Sequence, residues 1–510
     1  MAVPNGHADP KAHDLQRPLI IQLGKNRVSL FSARAVCAYF ETRTPFSSQF
    51  SVPVDASGDV WVAAEVLRDE FVHSQKDVDA VETTSDLEDA SQATVELFAR
   101  FLAFVADNLS TDDRLAEART EVLLFAIQAF TDAYLTTKDV HSLTTSFDVD
   151  VRKTVLSSYF RALAVLEERQ VSGIPRCPPS ALLSASDEGS ISAYALFGGQ
   201  GTNEVYFDEL QNLYDIYKPY VTPFITMLTI NILQPLAIAS ASPYYAYGLE
   251  VLSWLSGALP RPPTDYFASV PVSFPLIGLT QLTQYLVACR VLNVTPGELR
   301  SRLQGATGHS QGIVSAVCIA ASDSQESFFE NAGKALRWLF FCGLRGQEAF
   351  PVLAVEPGIV SDLIEGGEGN PSPMLSVSGL PLKELEPHIA KTNNYLPENS
   401  KLYVSLHNGP KTFVITGPPK SLYGLVASLR KVRAAPGLDQ SKIPFSQRKP
   451  VFSARFLVVG VPYHSDYLNG VTDKVMKDLN EELWRPEDIS IPVFNTEDGE
   501  HIQHLQRSDC

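Results

Sequence analysis

Apolar residues recur along this chain at two different periods. Val95, Phe98, Leu102, Val105 and Leu109 fall at helical spacing, as do the apolar positions of "LAEARTEVLLFAIQAFTDAYL" (115–135), so both stretches predict helices that bury one face. Upstream, "PLIIQLGKNRVSLFS" (18–32) reads as two strands around a Gly-Lys-Asn turn, and residues 1–17 as a mobile polar tail. Between 65 and 89 nine acids face only Arg68 and Lys76, which predicts a solvated, flexible segment.

From 191 onward short strand-like runs alternate with long helical ones. "ISAYALF" precedes a glycine turn, and "QGIVSAVCIAAS" (311–322) reads as a helix. That alternation predicts an α/β domain on a largely parallel sheet. "FITMLTINILQPLAIAS" (224–240) and "FPLIGLTQLTQYLVACRVL" (274–292) are the most apolar stretches, but Asn231, Gln234, Gln281 and Gln284 interrupt them. They read as buried helices rather than membrane spans, which need about 20 residues with few polar ones. Residues 372–432 read as strand, helix, two strands and helix, with Leu422, Leu425, Val426 and Leu429 sharing a face. A small ferredoxin-like subdomain follows, with Pro387 counting against its first helix. The Pro/Gly/Ser-rich stretch 171–190 marks a boundary. The expected organisation is a mostly helical region (1–185), a core with a Gly-x-Ser-x-Gly turn (186–360), the small subdomain (361–440) and a second core part (441–510).

Composition narrows the partners. The 510 residues carry 41 Lys and Arg against 58 Asp and Glu, a net charge of −17 without a strongly basic block, which argues against nucleic acid. The six cysteines, at 37, 177, 289, 318, 342 and 510, form no CxxC pair or zinc-like cluster with histidine. A reduced, cytoplasmic chain without structural metal is the corresponding expectation, and the polar N-terminus lacks the apolar centre of a signal peptide.

"GATGHSQGIVSAV" (305–317) places Ser310 between glycines two residues to either side, ahead of a helix. Such glycines permit a sharp strand-to-helix turn that projects the serine oxygen, while the helix start offers free N–H groups. The pentapeptide by itself is equally a Gly-rich loop. Of the ten histidines, seven lie in tails, polar segments or probable helices, and His309 adjoins the serine. His407 in "SLHNGP" sits at a hairpin turn. His464 closes the apolar, strand-like "RFLVVGVPYHSDY", the kind of loop that presents catalytic side chains, and is favoured as the base. "ALFGGQGTNE" (195–204) fails as a dinucleotide motif because Glu204 occupies the third glycine position, yet such a turn can expose N–H groups to an oxyanion.

"FGGQGTNEVYFDELQNLY", "FPLIGLTQLTQYLV", "TPGELRSRLQGATGHSQG", "LFFCGLRGQEAFP", "GLDQSKIPFSQRKPVFSARFLVVGVPYHS" and "IPVFNTEDG" together resemble the N-terminal acetyltransferase region of fungal fatty acid synthase β subunits. The resemblance spans almost the whole chain and is strongest from 195 to 498. It implies an α/β-hydrolase-like acyltransferase core with an inserted ferredoxin-like subdomain. By that resemblance Ser310 is the nucleophile and His464 the base, and the backbone N–H groups of Gln311 and Gln200 form the oxyanion hole. Acetyl-CoA would be the donor and the phosphopantetheine thiol of an acyl carrier protein the acceptor. The resemblance implies no permanently bound cofactor, and a carrier that resides on a partner α subunit.

Within the family, malonyl-transferring members have an arginine on the helix after the turn. Here Cys342 takes that position, while Arg345 matches an arginine that acetyl loaders share. The resemblance thus implies acetyl over malonyl, with room for longer acyl groups, although Cys342 reads equally as a core residue. Some relatives make a short starter such as hexanoate for a polyketide synthase, and the sequence leaves that role and bulk lipid synthesis both open. A family strand and helix expected after "ISIPVFNTEDGE" are replaced by the polar "HIQHLQRSDC", which implies loss of the carbonyl that orients the catalytic histidine. A serine esterase or thioesterase, with Asp362 or Asp439 as third member, and a non-catalytic fragment of a synthase are the competing readings.

Overall fold

The computed structural model describes residues 16–23, 48–55, 58–75, 87–109, 115–175, 180–201, 205–435, 437, 439–480 and 484–504. They fall into two compact units, one within Met1–Ser180 and Asn212–Val221, the other within Ala181–Gln211 and Thr222–Cys510.

In the first unit β1 (Gln16–Leu23) pairs antiparallel with β2 (Ser48–Asp55) along eight residues. The second strand expected within 18–32 lies outside the described residues. Helix Leu87–Asp107 buries Val95, Phe98, Leu102 and Val105 as the periodicity requires, and the Phe98 ring meets Phe130 of helix Ala116–Tyr134 edge-on at 5.3 Å. The acidic stretch is not simply a solvated linker. Residues up to 74 belong to helix Gly58–Ser74, whose Leu67, Phe71 and Val72 are buried while Asp69 and Glu70 face water. Asp69 and Glu70, two of the acids counted there, occupy the outer face of an amphipathic helix; residues 76–86 lie outside the described set.

The second unit is α/β. Its main sheet is parallel, β3 (Ala193–Phe197), β4 (Leu303–Gly308) and β9 (Val493–Phe494) in the order β3-β4-β9. Helices Val270–Val291, Gly312–Ala320 and Gln325–Ala349 belong to the same unit. The last is started by Ser324, whose hydroxyl accepts the Ser327 N–H. Two helical stretches, Tyr206–Ser240 and Val270–Val291, are long and apolar enough to cross a membrane, with 44% and 83% of their most apolar windows buried in the protein.

An inserted subdomain carries β5 (Met374–Ser378), helix Leu382–Asn393, β6 (Tyr403–Gly409), β7 (Thr412–Thr416), helix Pro419–Val432 and β8 (Ser453–Phe456). The antiparallel order β6-β7-β5-β8 is the ferredoxin-like arrangement. Leu422, Leu425, Val426 and Leu429 pack on Leu375, Val377 and Ile415. Helix Leu382–Asn393 accommodates Pro387 without a break.

Two expectations are corrected here. The run 455–463 is not a strand leading to His464: its first residues close the small sheet as β8, paired with β5, and 457–465 is irregular. Because β8 (Ser453–Phe456) pairs with β5, the small sheet reaches past the stretch 361–440 assigned to the subdomain.

Candidate active site

The turn at Ser310 is dictated by sterics. A Cβ on Gly308 would overlap the Gly312 carbonyl carbon and the Ile313 nitrogen, and one on Gly312 would overlap the Phe197 carbonyl oxygen. Both flanking glycines of the motif are therefore required by close backbone approach. Ser310 itself is held at φ 53°, in the left-handed region that costs a residue with a Cβ of order 1–2 kcal/mol.

His464 arrives from the loop after β8, also left-handed at φ 59°. Its Nε2 lies 2.9 Å from Ser310 Oγ. Although the residue keeps a solvent-facing side, crowding of its imidazole by protein disfavours the charged form, and nearby His309 adds to this. Its pKa therefore falls below the ordinary 6.5. Among the described residues the second ring nitrogen, Nδ1, has no hydrogen bond. The adjacent Tyr463 is anchored instead: its hydroxyl donates to the Cys342 carbonyl at 3.2 Å, and its ring lies 4.8 Å from that of Phe274.

The glycine turn after β3 lies against the nucleophile. A Cβ on Gly199 would come 2.8 Å from the His309 carbonyl oxygen and 3.1 Å from Ser310 Cβ, and the His309 N–H donates to the Phe197 carbonyl at 2.9 Å. The Gln200 side chain donates to Ser273 Oγ at 2.9 Å. The backbone N–H groups of Gln200 and of buried Gln311 have no acceptor among the described residues. A serine on a strained turn, an imidazole within hydrogen-bond reach and two unengaged N–H groups are the parts an acyl-transfer site requires.

Four other histidines make contacts elsewhere than at Ser310 Oγ. His407 is in strand β6, not the turn, with its ring edge-on to Phe413. His388 bonds Ser428 and His141 bonds Tyr217. His309 Nε2 points to Asn408 Oδ1 in the inserted subdomain, at 3.2 Å.

Residues 195–450 match the family described as starter unit:ACP transacylase in aflatoxin biosynthesis, and residues 44–166 match the N-terminal domain in fatty acid synthase subunit beta. The chain belongs to this transacylase family. It is 40% identical over 430 residues to fatty acid synthase subunit beta of Saccharomyces cerevisiae, covering 82% of this chain and 21% of that protein. The corresponding subunit of Schizosaccharomyces pombe is 39% identical over 466 residues, 90% of this chain and 22% of the relative. The chain thus spans about a fifth of the length of these relatives. Among solved structures, MCAT from Streptococcus pneumoniae aligns with a TM-score of 0.39 at 17% identity, covering 62% of this chain and 78% of that one.

Other positions singled out in this transacylase sequence divide clearly. Arg345 is committed: its Nε and Nη2 grip both Asp478 oxygens at 2.6 and 2.8 Å, and Nη1 bonds Glu348 at 2.8 Å, which raises its already high pKa further. Cys342 touches the site through its carbonyl and Tyr463, while its side chain packs on the cluster of Val471, Val475 and Leu479, and burial pushes its thiol pKa up. Neither candidate acid meets His464. Asp362 pairs with Arg430 at 2.7 Å, and Asp439 accepts from Ser441. Among the described residues no group of three His, Cys, Asp or Glu could hold a metal ion. Sequence reasoning missed Asn408 and Tyr463, since neither stands in a pattern that signals chemistry.

Proposed function

We propose that the chain transfers an acetyl or other short acyl group from acyl-CoA to the phosphopantetheine thiol of an acyl carrier protein. Ser310 Oγ attacks the thioester carbonyl as His464 Nε2 takes its proton; the C–S bond breaks, and the CoA thiolate leaves with that proton. The carrier thiol then gives its proton to His464, attacks the seryl ester and frees Ser310, which regains the proton. The N–H groups of Gln200 and Gln311 stabilise the oxyanion in both halves. What carries the reading is the 2.9 Å contact between Ser310 Oγ and His464 Nε2.

Acetyl is the preferred group in this reading. Cys342 offers no cation to a malonyl carboxylate, and Arg345 is already neutralised by Asp478 and Glu348; an unpaired carboxylate in the site costs several kcal/mol. Membership of the family supports the carrier protein as acceptor, and the fungal β-subunit relatives support an α subunit as the partner that bears it. A hydrolase is disfavoured because neither Asp362 nor Asp439 is placed to complete a triad.

Intact-mass measurement after incubation with acetyl-CoA tests the assignment. An acetyl adduct on Ser310, discharged to carrier protein rather than to acetate, is the expected result. Absence of the adduct, or release as acetate whether or not carrier is present, would overturn it.

A further inference from the structure

Helix Val270–Val291 is largely buried, and Gln281, one of the polar residues that interrupt its apolar run, is half-buried with both ends of its amide bonded to two other segments. Its Nε2 donates to the Gly198 carbonyl at 2.7 Å, and its Oε1 accepts from the Ser315 hydroxyl at 2.7 Å. Gly198 opens the turn that carries the Gln200 N–H two residues on. Ser315, fully buried, sits four residues after Gln311 on the helix that follows the nucleophile.

We propose that Gln281 is a positioning residue that sets the separation and orientation of the two segments supplying the oxyanion donors. The proposal rests on the assignment of the Gln200 and Gln311 N–H groups to that role. Consecutive Gly198 and Gly199 leave the turn with little conformational preference of its own, because neither has a Cβ to restrict it. The Gly198–Gly199 peptide can rotate unless its carbonyl is held. Gln281 holds it, and the same amide is tied to the helix bearing the second donor through Ser315. The turn is secured at three points: the Phe197 carbonyl by the His309 N–H, the Gly198 carbonyl by Gln281, and the Gln200 side chain by Ser273. Of these, the Gln281 bond is the one that fixes the glycine pair.

The test uses a fluorophosphonate, which reads oxyanion stabilisation at Ser310 without acyl-CoA. Ser310 Oγ bonds to phosphorus, fluoride leaves, and His464 takes the serine proton. Labelling of the full chain is followed by intact mass for wild type, Gln281→Leu, Gln281→Glu and Ser315→Ala, with melting temperature recorded for each. Loss of one oxyanion donor typically slows such enzymes 10²- to 10³-fold, so a loosened donor pair gives about a 10- to 100-fold slower maximal labelling rate in Gln281→Leu. Gln281→Glu behaves similarly, because a carboxylate cannot donate to Gly198. Ser315→Ala loses a few-fold. The half-saturating probe concentration and the pH midpoint stay at wild-type values, since His464 is untouched. Wild-type labelling in a folded Gln281→Leu protein overturns the proposal. So does a shifted pH midpoint, which would mean that the substitution acts through His464. Should Gln281→Leu not fold, Ser315→Ala decides: a maximal rate within experimental error of wild type overturns the clamp. An acetyl-CoA arm separates the two readings, because a wild type that labels but never acetylates refutes the transfer assignment while the labelling rates still judge Gln281.

Discussion

His309 Nε2 lies 3.2 Å from Asn408 Oδ1, so the residue before the nucleophile is held by the inserted subdomain. The same imidazole lies close enough to His464 to oppose its protonation. Burial and this neighbour act in one direction, and the neutral, proton-accepting form of His464 persists below the pH at which an ordinary histidine becomes charged.

The rate of Ser310 acylation should therefore be flat through neutral pH. It should fall about tenfold per unit below a midpoint that lies under 6.5. His309→Gln removes the opposing neighbour and moves that midpoint up, measured as single-turnover acylation against pH. A wild-type midpoint at or above 6.5 would contradict the account.

Ser310 and His464 both hold left-handed backbone conformations with a Cβ attached. Ser310→Ala removes the adduct, and His464→Ala slows its formation by several powers of ten. Ser310→Gly and His464→Gly, by contrast, are expected to abolish activity while raising stability by up to about 1 kcal/mol, because glycine relieves the strain. Denaturant titration checks the sign of that change.

Arg345 and Asp478 form a bidentate pair between helices Gln325–Ala349 and Val471–Asp478. Asp478→Ala leaves a guanidinium without its main partner and should cost about 1.5–3 kcal/mol. The paired change Arg345→Met with Asp478→Leu should leave the ratio of acetyl to malonyl loading unaltered, measured with both CoA esters. A lower malonyl rate in the double variant would show that Arg345 binds substrate.

Glu368 is 1% exposed and bridges Arg430 at 2.6 Å and Arg433 at 3.0 Å. Stripping a buried ion of its partners is far costlier than the pairs are worth, so Arg430→Met combined with Arg433→Met, which leaves the Glu368 carboxylate without either arginine, should destabilise the protein by about 3–5 kcal/mol. Arg433→Met, which leaves Glu368 paired with Arg430, should cost less. Thermal unfolding of the two variants orders them.

Much of this protein is written locally. The stripe Leu422, Leu425, Val426 and Leu429 names the buried face of its helix whatever it packs on, and the glycines around Ser310 encode a turn through steric limits that operate over five residues. Helical period, strand alternation and glycine sterics are short-range properties, and a chain carries them before it folds. Long-range placement has no such signal. That β8 completes a sheet begun at β5, that Arg345 is spent on Asp478, and that Gln281 ties a turn at Gly198 to a helix at Ser315 follow from the summed packing of many side chains. His464 shows the division most plainly. Its neighbours mark it as a candidate base, but the left-handed loop that brings its Nε2 to Ser310, 154 residues earlier, is formed beside Tyr463, which is anchored on Cys342 and Phe274. A backbone conformation that is unfavourable in isolation is held there by tertiary contacts, and for that reason no reading of the local sequence could supply it.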